Sequence, residues 1–119
     1  MKPFFTIIIP VYNRADIVGK TIETVISQEF EEFELILIDD KSTDDSLEVL
    51  SKYASKDERI QVVKLAVNQG RCRARNEGLL KAKCDWICFL DSDDAYLPNH
   101  LSTIYNAIKN NPKQKAFAT

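Results

Sequence analysis

The strongest constraint in this sequence is an alternation repeated four times. A short apolar run stops at a group of polar residues, and a longer segment with helical spacing follows. Phe4 to Ile9 is a continuous β-rich run, the pattern of a strand covered on both faces. Phe33 to Ile38, Ile60 to Leu65 and Trp86 to Leu90 repeat it. Asp16 to Gln28 carries Ile17, Val18, Ile22, Val25 and Ile26 at the spacing of one helix face. Ser42 or Thr43 can cap a second helix, with Leu47, Val49, Leu50 and Tyr53 as its apolar positions. Gly70 to Ala82 is a third helix, rich in Arg and Ala. Pro98 suits the first turn of a fourth, which buries Leu101, Ile104, Tyr105 and Ile108.

Strands that each lead into a helix pair in parallel through right-handed crossovers. The expected class is therefore α/β: an open, mostly parallel, Rossmann-like sheet with helices on both faces. The tail from Lys113 to Thr119 reads as the start of a fifth strand that is not finished. The 119 residues are enough for one core. The expectation is a single domain over residues 1–119, truncated at its C-terminus.

Composition removes several function classes. Sixteen basic and 18 acidic residues give a net charge of −2, so no general field attracts nucleic acid or an anionic membrane. No apolar run approaches the roughly 20 residues of a membrane helix. Pro10 ends the apolar start too soon for a signal peptide. Cys72, Cys84 and Cys88 form no paired motif, which suits a reducing compartment. His100 has no Cys or His at ligand spacing and reads as a surface residue. No Walker loop, GxGxxG fingerprint or Ser-His-Asp arrangement is present, and this counts against a dinucleotide-dependent dehydrogenase.

Ligands of open parallel sheets bind beyond the carboxyl ends of the strands. The residues there are Pro10-Val11-Tyr12-Asn13-Arg14, Asp39-Asp40-Lys41-Ser42-Thr43-Asp44, Asn68-Gln69-Gly70-Arg71 and Asp91-Ser92-Asp93-Asp94. Asp91, Asp93 and Asp94 crowd negative charge that a cation relieves. Their hard oxygens suit Mg²⁺ or Mn²⁺, with phosphate oxygens or water completing the shell. The plainer alternative is an Asp-rich turn facing solvent. Asp39 or Asp40 can accept from a base or ribose, or from backbone N–H groups of its own turn. Tyr12 can stack on a base or pack against the first helix. The N-terminus of the third helix faces the same edge. Its dipole favours a phosphate, as do Arg71 and Arg75, which lie four apart on one face. Arg73 points elsewhere, and Asn76 and Gly78 permit close helix packing.

These residues together resemble the family 2 glycosyltransferases of the GT-A fold, over Phe5 to Ile108. Ile9-Pro10-Val11-Tyr12-Asn13 looks like the family's opening loop, and Ile38 to Asp44 like its DDGSTD segment. Asn68-Gln69-Gly70 with Ala74-Arg75-Asn76-Glu77-Gly78 looks like its N-x-G…A-R-N-x-G helix. Phe89 to Asp94, with Pro98, looks like its DXD region. The resemblance implies an inverting, metal-dependent transferase that takes a UDP-sugar. Pro10, Val11 and Tyr12, with Asn13 beside them, would line the base pocket. Asp40, or else Asp39, would accept from the uracil ring N–H. Arg75 or Arg71 would lie near the base or phosphates. Asp91 and Ser92 would meet the ribose or a metal-bound water. Asp93 would approach the Mg²⁺ or Mn²⁺, with Asp91 and Asp94 as the other metal candidates. The acceptor implied is a saccharide or lipid-linked hydroxyl in bacterial polysaccharide assembly, at the cytoplasmic side of the membrane.

Two departures stand out. Lys41 sits where the family often has Gly, and no residue here corresponds to the catalytic-base carboxylate. The chain alone is therefore expected to bind donor weakly and transfer nothing. A receiver-type signalling domain fits poorly, because the first strand ends in Pro-Val-Tyr-Asn instead of an acidic pair. A non-catalytic nucleotide-binding or assembly module, forming a homodimer through an unpaired sheet edge, is the other alternative.

Overall fold

Phe5–Val11 has no polar face, and such a strand is stable only in the middle of a covered sheet. In the computed structural model, which describes residues 3–111, that is its position. This strand, β1, is buried at every residue. The remaining elements are α1 (Val18–Ile26), β2 (Phe33–Asp39), α2 (Ser46–Lys56), β3 (Ile60–Lys64), α3 (Arg71–Lys81), β4 (Trp86–Phe89) and α4 (His100–Asn110). The sheet is parallel, in the order β3-β2-β1-β4. The α/β expectation holds. The fifth strand expected from Lys113 lies outside the described residues.

Alternation along β1 divides the core in two. Phe5, Ile7, Ile9 and Val11 join Val18, Ile22, Leu50 and Leu101 on one side. Ile8 joins Ile36, Ile38, Leu65 and Ala74 on the other, beneath α3. Each such side chain contributes about 1.5–3 kcal/mol on full burial. α3 covers its side with the small residues Ala74 and Gly78; Gly78 packs as expected, whereas Asn76, expected to pack with it, is exposed, because it lies on the outer face of the helix.

Two helix starts differ from expectation. α2 begins at Ser46, whose N–H donates to the Asp44 carboxylate at 2.9 Å, because Ser42 and Thr43 are engaged elsewhere. α4 begins at His100, and Pro98 lies before it, with its carbonyl accepting the Glu29 N–H at 3.0 Å. Among the described residues no helix is long and apolar enough to cross a membrane.

Candidate functional site

The ends of β1, β2 and β3 lie level, and β4 stops earlier, opposite Ile8. Val11 pairs with Asp39, Asp39 pairs with Lys64, and the Leu90 N–H reaches the Ile8 carbonyl. The four following loops surround a cleft of about 280 Å³. Pro10, Val11, Tyr12, Asp40, Arg71 and Ser92 line it, as expected. Arg14, Asn68 and Gly70 complete the lining, and the sequence had suggested no role for them. All three lie in the loops that leave the carboxyl ends of β1 and β3, and that placement was the available clue.

Asn13 has a different place. Its φ of 52° turns the backbone into the left-handed region, which Asn tolerates better than most residues. Its side-chain oxygen accepts from the Thr43 N–H at 2.8 Å, and its own N–H donates to the Ser42 hydroxyl at 3.1 Å. Asn13 thus clasps the first two loops together and does not line the cleft.

The Asp40 carboxylate accepts the Gln69 N–H at 2.8 Å on one oxygen and the Gly70 N–H at 2.9 Å on the other. The Asn68 amide donates to the Asp40 carbonyl at 3.0 Å. The N-terminal end of α3, expected to be open to a phosphate, is thus partly compensated by a carboxylate of the protein. Asp39 is 2% exposed. One of its oxygens takes a long 3.4 Å bond from the Ser42 N–H, and the other is buried without a partner. Such an orphaned acceptor is what a bound donor group would satisfy.

Lys41 has φ 61°, the conformation that glycine adopts freely. Its side chain costs about 1–2 kcal/mol there, against about 0.5–1 kcal/mol of chain entropy lost on ordering glycine. Lys41→Gly is therefore expected to raise stability by about 0.5–1 kcal/mol, read as a shift in urea midpoint at unchanged slope.

Arg71 and Arg75 share a face, as their spacing predicted, and both approach Asp91. Arg75 Nη2 lies 2.9 Å from its carboxylate and Arg71 Nη1 lies 3.9 Å away. The Arg75 Nε is buried without a partner. Asp91 therefore turns to cations of α3. The turn is closed by the Asp94 N–H on the Asp91 carbonyl at 3.1 Å, and it leaves Asp93 and Asp94 exposed. Among the described residues no three acidic, His or Cys side chains gather as a metal-binding group. Asp91 is thus drawn to the arginines of α3, while Asp93 and Asp94 stand free of them at the surface.

His100, expected at the surface, is half-buried and stacks on Tyr96 with ring centroids 4.0 Å apart; the burial lowers its pKa. Cys84 is buried, as expected of a packing residue. Burial pushes the Cys88 thiol up to about 11, whereas Cys72 is exposed. At pH 8, iodoacetamide is expected to label Cys72 and leave Cys88 unmodified in the folded chain. Peptide mass spectrometry would check this, and equal labelling would contradict the burial.

An open parallel sheet with its cleft at the strand ends matches the architecture of the GT-A glycosyltransferases. TarS 1-349 of S. aureus, solved in complex with UDP-GlcNAc, superposes with a TM-score of 0.85 at 32% identity, over 92% of this chain and 32% of that one. The chain belongs to glycosyltransferase family 2, whose model matches residues 6–119. It is 40% identical over 100 residues to the putative teichuronic acid biosynthesis glycosyltransferase TuaG of Bacillus subtilis, covering 84% of this chain and 40% of that protein. It is also 40% identical over 97 residues to WfaP of Escherichia coli, a UDP-Glc:alpha-D-GlcNAc-diphosphoundecaprenol beta-1,3-glucosyltransferase, covering 82% of this chain and 38% of that one. The chain thus spans about two-fifths of the length of these curated relatives.

Proposed function

We propose that these residues form the donor-binding part of an inverting glycosyltransferase, which takes a UDP-sugar and delivers the sugar to a saccharide or lipid-linked hydroxyl. The observation that carries the reading is the cleft itself, where the apolar wall of Pro10, Val11 and Tyr12 meets Asp40 and Arg71, and where Arg71 joins Arg75 on Asp91. Tyr12, 45% exposed, offers its ring to the base, with Pro10 and Val11 behind it. Asp40 accepts from the uracil ring N–H, since each of its oxygens has a lone pair beyond the one its backbone partner uses. Asp39, with its orphaned oxygen, is the alternative acceptor. Arg71 and Arg75 balance the diphosphate charge.

Asp93, with Asp91 or Asp94, would hold a Mg²⁺ or Mn²⁺ that neutralises the departing diphosphate. Inversion requires a carboxylate base on the face opposite that leaving group, and none of the site residues here takes the role. The donor named for WfaP and the ligand held by TarS both support UDP as the nucleotide. A cytosolic donor fits a site on the cytoplasmic side of the membrane.

Calorimetric titration with UDP, with and without Mn²⁺ and repeated on Asp93→Ala, tests the reading. The expected outcome is binding that needs the metal and falls at least tenfold in the variant. Metal-independent binding that survives Asp93→Ala would remove the proposed cation, and no binding at all would remove the donor site.

A further inference from the structure

α1 carries polar side chains that its amphipathic pattern does not require. Val18, Ile22 and Val25 occupy its core face. Thr21 on the helix and Gln28 just beyond it are nevertheless 2% and 4% exposed, with Thr24 half-buried between them. Spacings of three and four residues stack these side chains into one ridge. Buried polar groups cost free energy unless they are hydrogen-bonded, and all three find partners in the segment that follows β4.

The Thr21 hydroxyl lies 2.9 Å from the Ser92 carbonyl and 2.7 Å from the Asp94 carbonyl. Its one proton is shared between two acceptors, so the acidic turn is wrapped around this oxygen. One turn further on, Thr24 Oγ1 accepts the Tyr96 N–H at 3.1 Å. Gln28 donates to the Leu97 carbonyl at 2.6 Å and accepts the Leu101 N–H at 3.0 Å. The partners follow the same order as the ridge, so residues 92–101 are laid along α1 step by step.

We propose that Thr21 is a positioning residue for donor binding: its hydroxyl fixes the backbone of the acidic turn, and through it the placement of Asp91 and Asp93 toward the donor's diphosphate and cation. The proposal rests on the donor-site reading above. Thr24 and Gln28 hold the strap that follows the turn. Without the Thr21 hydroxyl, the buried Ser92 carbonyl and the part-buried Asp94 carbonyl lose their donor, and the turn opens toward water to recover the bonds. Carboxylates on a loosened turn lose the fixed geometry on which a cation and diphosphate depend.

The test compares Thr21→Val, which keeps the shape, with Thr21→Ser, which keeps the hydroxyl, on the whole chain. Uridine affinity reads the base pocket and the ribose contact near Ser92, and UDP affinity with Mn²⁺ reads these plus the carboxylates of the turn. In Thr21→Val, UDP–Mn²⁺ affinity is expected to fall about tenfold, the loss of one well-made hydrogen bond. Uridine affinity should fall by clearly less, and Thr21→Ser should restore both. Should Thr21→Val fail to fold, Thr24→Val reads the same split one turn along the ridge. Wild-type UDP–Mn²⁺ affinity in Thr21→Val would overturn the proposal. So would an equal loss of uridine and UDP, which marks a purely structural role. Failure of the wild-type chain to bind either ligand would instead overturn the donor site, and this proposal with it.

Discussion

Asp40→Ala is expected to cost about 2–4 kcal/mol of stability and to abolish UDP binding. The stability loss follows from two backbone donors. The Gln69 and Gly70 N–H groups both end on the Asp40 carboxylate, at 2.8 and 2.9 Å. Each donor left unpaired in a buried place costs about 1–3 kcal/mol, and their position beside the cleft lets water recover part of it. A carboxylate so close to the start of α3 also loses its favourable interaction with the helix dipole. Asp40→Asn keeps one acceptor oxygen and should lose about half as much. Urea unfolding gives the first quantity, and UDP titration well below the melting temperature gives the second. Retained UDP affinity in Asp40→Ala would pass the base contact to Asp39, whose orphaned oxygen is then the better acceptor.

Gly78→Val is expected to destabilise by about 2–3 kcal/mol, within the range for overpacked cores. The first added atom already has no place: a Cβ at Gly78 would stand 2.6 Å from Ile8 Cγ2, 3.1 Å from its Cδ1 and 3.2 Å from its Cγ1. Ile8 is fully buried in the central strand and cannot step aside, so α3 must rise from the sheet. Gly78→Ala meets the same contact but gains about 1 kcal/mol of helix propensity, and should therefore be milder. Adding Ile8→Ala removes the opposing Cγ2. Non-additivity of the two substitutions in a double-mutant cycle would show that the clash is between these residues. Simple additivity would refute that account.

Much of the fold could be read from residues alone because its strands lie in the covered interior of a parallel sheet. Phe5–Val11 and Phe33–Asp39 have almost no exposed positions, so apolar content alone reveals them. Strand ends in such a sheet mark the ligand side, which is why Tyr12, Asp40, Arg71 and Ser92 were legible as cleft residues. Contacts between distant segments were not. Ser42 and Thr43 have the chemistry of helix caps, yet their partner is Asn13, 29 and 30 residues earlier in the chain. Asp91, Asp93 and Asp94 look like one ligand set in a linear sequence. That Asp91 also pairs with Arg75, from another element, was not legible there. Thr21 and Gln28 resemble ordinary polar positions of a surface helix, and only their partners 69 to 73 residues onward set them apart.

The strap along α1 also bears on the order in which the molecule takes shape. A ribosome releases the chain from its N-terminus, and the clasp between Asn13 and Thr43 is available once the first 45 or so residues have emerged. The acidic turn has no such early support. Its anchors on α1 wait empty until residues 92–101 arrive, and the last of them, Gln28, is filled only by Leu101. A nascent chain therefore has the loops after the first three strands in place well before the acidic turn can be held. On the donor-site proposal, a nucleotide present during synthesis would meet these loops first and the acidic turn only later.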